Sequence, residues 1–170
     1  MKRQWLLTFL SLLLLWTLVT QINHYLAVWH SHIFLGALYL TFAALRLPVR
    51  GGMLVTVLGG LLCDANTPVP FGTHMLLFVV AHAFINKAHH RIPSDHPTTQ
   101  LVVAFIANLG LYVALSVVVI LGNPVVGQLW PRLLFDLALS QVCLLLVGPW
   151  FLALQARILE LDRYAMRSRF

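Results

Sequence analysis

Few side chains in this 170-residue sequence can do acid–base, nucleophilic or metal chemistry: five are acidic, two are cysteine and eight are histidine. Asp64 is the only carboxylate in the first half, within "GGLLCDANTPVPFG", residues 59–72. A carboxylate bordering an apolar run is costly and commonly functional. Two roles are open to it. It can accept hydrogen bonds from backbone N–H groups and clasp a turn, with Asn66 and Thr67 beside it. Alternatively it binds a partner, a ligand or an ion. If the preceding helix ends there, that helix's dipole opposes the charge. A local N–H or a cation such as Arg132 would then have to offset it.

The histidines form no recognisable metal site. His74 and His82 are eight apart, on one face of a helix, with His89 and His90 just beyond and His24, His30 and His32 far upstream. Helical zinc hydrolases use H-E-x-x-H, and no glutamate precedes Glu160. His82 reads as a hydrogen-bonding contact between helices. Cys63 with His74 is a conceivable nucleophile and base, but Cys63 and Cys143 both sit in apolar contexts that suit small packing residues. No nucleophile elbow, phosphate loop or dinucleotide-binding glycine motif is present. No catalytic residue, cofactor or metal is expected.

The elements that carry these residues belong to a membrane. The chain is 60% hydrophobic and 9% charged, with mean hydropathy +0.87. A soluble domain carries about 25% charged residues. Continuous apolar runs predict an all-α, polytopic membrane protein, whereas a membrane β-barrel would alternate. Six segments are expected: Trp5 to Val19 (extendable to Val28), Ile33 to Leu47, Gly51 to Cys63, Thr73 to Ile85, Leu101 to Leu121 and Leu133 to Leu154. The third and fourth are short, and cross only if their ends extend into flanking polar residues. With the N-terminus in the cytoplasm, ten of the eleven Lys and Arg fall on the cytoplasmic side and Arg132 alone on the other. That is the positive-inside pattern. Both termini are therefore expected inside, the net charge of +6 marks topology and not nucleic acid, and residues 1–170 form one integral membrane domain.

Within the spans, small and polar residues point to packing. Gly52 shares a helix face with Gly59 and with Gly60, which suggests close approach of helices and places the third span at the packed centre. Asn108 and Gln141 suit hydrogen bonds between helices. Arg132 and Asp136 are four apart and can pair across an outer helix turn, in the weaker cation-first order. The end of the chain, about 156–170, is basic, with Arg157, Arg163, Arg167 and Arg169. Leu154, Ile158, Leu161 and Ala165 share a face there. Such a tail can lie on the inner membrane surface, dock a partner or simply anchor topology.

The pattern Gly60, Asp64, Pro70, Gly72, written "GLLCDANTPVPFG", resembles the central motif of the rod shape-determining protein MreD family. The chain size, the basic-tipped hairpin "RLPVRGG" and the basic cytoplasmic end agree with it. The resemblance implies a non-enzymatic, multi-pass component of the bacterial inner membrane that serves cell elongation and lateral wall synthesis. Its implied partners are membrane lipid and MreC, and through MreC the MreB filament, RodA and a penicillin-binding transpeptidase. No nucleic acid and no small-molecule substrate is implied. The family fold is similar to the substrate-binding subunits of energy-coupling-factor vitamin transporters. A transporter subunit is therefore the principal alternative, and an intramembrane enzyme a further one.

Overall fold

A computed structural model describes residues 4–65, 67, 69–89, 96–122 and 130–167, with side chains except at 89 and 163–167. Among these residues there are six α-helices and no strand: α1 (Gln4–Leu26), α2 (Gly36–Arg46), α3 (Val49–Asp64), α4 (Thr73–His89), α5 (Pro97–Leu121) and α6 (Trp130–Arg167). A single 3₁₀ turn, Ala27–Trp29, follows α1 and closes at His30 in the left-handed region. Prolines set several of the boundaries. Leu47 is extended because the residue before a proline disfavours the helical region, and the Pro48 carbonyl then accepts the Gly52 N–H at 2.8 Å as α3 begins. Pro97 opens α5, where a missing N–H costs nothing.

Three helical stretches are long and apolar enough to cross a membrane: Gln4–Trp29, Pro97–Leu121 and Trp130–Asp162. The others have 11, 16 and 17 residues. At 1.5 Å per residue these reach only about 16, 24 and 25 Å, short of a hydrocarbon core of about 30 Å. Burial differs from that of a water-soluble bundle, with large apolar side chains on the outside as well as in the core. Leu6, Leu10, Leu14 and Leu18 form an exposed row along α1, and Val102, Ile106, Val113 and Val117 another along α5. Thr8, Ser11, Thr56, His82, Asn108 and Ser140 are buried. Apolar rows outside and hydrogen-bonding groups inside suit a hydrocarbon surround.

The centre of the bundle is α2, not α3 as the glycines suggested. Gly36 to Leu45 are all buried, and α2 packs against α3, α4, α5 and α6. A helix that is apolar all round seeks the middle, whereas α3 leaves Val49 and Leu54 exposed. Two of the α3 glycines, Gly52 and Gly59, serve α2 from outside. A Cβ on Gly52 would lie 2.6 Å from the Ala43 carbonyl oxygen, and one on Gly59 would meet the Tyr39 ring at 3.4 Å. At the other end of the chain α6 continues through Pro149 to Arg167, so the basic tail is helical as far as that residue and is not a separate segment. It exposes Leu154 and Leu161 while Gln155, Leu159 and Asp162 turn inward.

Candidate functional site

Residues from the C-terminal ends of α1, α3 and α5 and the N-terminal ends of α2, α4 and α6 meet at one end of the bundle, where two cavities lie. Asp64, the last residue of α3, is 4% exposed there. Its Oδ2 accepts the backbone N–H groups of Gly72 (3.0 Å) and Met75 (3.2 Å). Its Oδ1 accepts the backbone N–H of His74 and the His74 ring Nδ1–H, both at 2.9 Å. A helix start leaves its first N–H groups without intrahelical partners, and Asp64 fills that need at the start of α4. The carboxylate thus faces the positive end of the α4 dipole, which offsets its unfavourable place at the end of α3.

The rest of the motif makes this clasp possible. Gly60 lies one turn before Asp64, and a Cβ there would sit 2.5 Å from the Met75 Cα and 2.8 Å from the Met75 nitrogen. Only glycine lets the start of α4 settle so close to α3. Gly72 has φ +95, with nothing near its Cβ position, so its requirement is backbone conformation. The Pro70 carbonyl accepts the Thr73 hydroxyl (2.6 Å) and N–H (3.2 Å). Thr67 donates back to the Cys63 carbonyl at 3.0 Å. Asn66 and Pro68 lie outside the described residues. The cation proposed from the sequence, Arg132, is not the partner of Asp64. It is 54% exposed and lies 4.0 Å from Asp136 instead, while His74 and the α4 amides take the carboxylate.

A second polar set holds the non-helical residues 31–35 that lead into α2. The Asp136 carboxylate accepts the His32 N–H at 3.0 Å, and the Ser140 hydroxyl accepts the Phe34 N–H at 2.9 Å while donating to the Asp136 carbonyl. The Asn23 amide exchanges two hydrogen bonds with Ile33, at 2.8 and 2.9 Å. Asn108 accepts the Ala37 N–H at 3.2 Å and donates to the Phe34 carbonyl at 3.1 Å. Non-helical backbone inside a membrane bundle needs such partners, because no water supplies them. Asn108 thus links α5 to the backbone at the N-terminal end of α2. Asn23 gave no signal beyond being an amide near the end of an apolar helix.

Gln141 is less engaged: its Nε2 reaches the Phe105 carbonyl at 3.4 Å and its Oε1 has no partner. Deeper in the bundle the Thr56 hydroxyl donates to the Gly52 carbonyl at 2.9 Å, so the His82 Nδ1–H, 2.8 Å away, is the donor to Thr56. This links α3 to α4 beside Gly52. Toward the opposite end, Gln155 on α6 donates to Ser11 on α1 at 3.2 Å. Arg46, Arg50, Lys87 and Arg157 all belong to that end by their place on the helices. The side chains of Arg163 and Arg167, and all of Arg169, lie outside the described residues.

The cavities share His32, Phe34, Thr67 and His74. One, of about 310 Å³, lies between α1, residues 32–36 and the α3–α4 clasp. The other, of about 340 Å³, lies between the clasp, α5 and the Arg132–Asp136 turn of α6. Among the described residues no group of three His, Cys, Asp or Glu side chains is placed to hold a metal ion. The model of the family described as rod shape-determining protein MreD matches residues 2–158. No curated protein sequence matches the chain, and no solved structure does.

Proposed function

The chain belongs to the rod shape-determining protein MreD family, and on that premise we propose that it serves rod-shape determination as a non-enzymatic scaffold of the bacterial inner membrane. The observation that carries this reading is where the polar side chains are engaged. Asp64, Asn108, Asp136 and Ser140 all bind backbone groups of neighbouring elements. Such bonds fix the relative positions of helix ends, which is what a protein that presents a surface to partners requires.

In this reading all six helices cross the membrane, with the Asp64 end outside and both termini in the cytoplasm. Arg46, Arg50, Lys87 and Arg157 at the opposite end support that orientation. The clasp from Gly60 to Gly72 shapes the outer face. The basic end of α6, with Arg157, Arg163 and Arg167, faces anionic lipid or a cytoplasmic partner. Lateral contacts with MreC, and through it with MreB, RodA and a penicillin-binding transpeptidase, would join this scaffold to wall synthesis.

Depletion of the protein in its own rod-shaped cell tests the reading. Rounding that is reversed by the wild-type chain, together with loss of MreC from a pull-down when the chain is absent, is the expected result. Normal rods after depletion would overturn it.

A further inference from the structure

At the Asp64 end, two buried polar groups are left out of the bonding to backbone. The Tyr39 hydroxyl and the His74 Nε2 make no hydrogen bond among the described residues, the His74 ring using Nδ1 toward Asp64. Tyr39 and His74 are each 3% exposed, and both line the cavity of about 310 Å³. Both residues border that space, so their polar atoms are available to whatever fills it. The carboxylate accepts only, so Nδ1 carries the hydrogen of that bond and Nε2 is the ring nitrogen left for another partner.

The walls define what would fit. Trp16, Phe34, Tyr39 and His74 supply ring surfaces, with the Phe34 and His74 rings 6.1 Å apart. The Phe34 ring occupies the place a Gly36 side chain would take, which keeps that wall flat against the start of α2. No Lys, Arg, Asp or Glu is among the described lining residues. An anion entering such a space leaves water without a Lys or Arg to pair with, which is strongly unfavourable. The second cavity is different, because its charges already close on each other as the Arg132–Asp136 pair.

We infer that the cavity between α1, residues 32–36 and the clasp is a binding site for a small, uncharged, planar ring compound. The ring lies against Trp16 and Phe34, the Tyr39 hydroxyl donates to an acceptor on it, and the His74 Nε2 pairs with a second polar group on it. The site is independent of the scaffold role, since a scaffold needs no such ligand and the cavity does not depend on any partner protein.

The test is thermal unfolding of the full chain in detergent micelles, titrated with 2-pyridone, nicotinamide and benzimidazole, and with nicotinate as an anion of the same shape as nicotinamide. At least one uncharged compound should raise the midpoint saturably, and nicotinate should not. Tyr39→Phe keeps the ring and should weaken that compound's apparent Kd roughly two- to tenfold, the worth of one hydrogen bond. Val19→Trp, which fills the cavity from α1, should abolish the shift while circular dichroism stays helical. The proposal is overturned if no uncharged compound gives a saturable shift, if nicotinate binds as well, or if the shift is unchanged in Tyr39→Phe.

Discussion

At Asp64 a single carboxylate accepts three backbone N–H groups and one imidazole N–H, all within 3.2 Å. Removing it strands buried donors at the start of α4 as well as the His74 ring. Loss of one member of a buried, hydrogen-bonded pair costs about 3–5 kcal/mol, so Asp64→Ala should lower the unfolding free energy in detergent by about that amount. Asp64→Asn should cost less, about 2 kcal/mol, because one amide oxygen still accepts while the NH2 opposes the remaining donors. A denaturant titration followed by circular dichroism measures both, and equal stability of wild type and Asp64→Ala would show that the clasp holds nothing. Asn108→Ala leaves the Ala37 N–H and the Phe34 carbonyl without partners. It should cost about 2 kcal/mol by the same assay.

Between elements the separations are set by glycines, and the expected effects differ in sign. Gly60→Ala puts a methyl 2.5 Å from backbone at Met75, and backbone cannot swing aside as a side-chain tip can. Overpacking of this kind costs about 1–3 kcal/mol, and Gly60→Ala should fall at the upper end with the α3–α4 contact loosened. Gly110 on α5 has nothing within 4 Å of its Cβ position. Gly110→Ala should therefore be neutral or stabilise by up to about 1 kcal/mol through helix propensity alone. Parallel thermal melts of the two variants check the pair, and a matching loss in both would mean that the close approach of α4 to α3 is not what Gly60 supplies. The short α2 follows the same logic at its start. An isolated 11-residue helix is marginal on its own. Here its first N–H groups and the non-helical residues before it are held by side chains of α1, α5 and α6.

At the scale of the molecule, the scaffold reading depends on which end faces the cytoplasm. Reporter fusions after Leu47 and Lys87 should be active in the cytoplasm, and fusions after Gly72 and Gly122 outside it. Reporters on one side at both Leu47 and Gly72 would remove the α3 crossing. The sequence by itself determined the class and the likeness: its runs of apolar residues and scarce charges require helices in a membrane, and Gly60, Asp64, Pro70 and Gly72 carry the family motif. Those signals are local or compositional, and periodicity reads them directly. It could also say that Asp64 would tie down a turn, because Asp does so with backbone nearby. What it could not say is whose backbone. That Asp64 caps α4, that Asn108 and Ser140 hold residues 34–37, and that α2 occupies the centre are contacts between residues 10 to 106 positions apart. Asn108 and His82 look alike in sequence, each a polar group flanked by apolar residues in a helix. One meets backbone and the other a hydroxyl because of where the packing of the other helices around α2 places them.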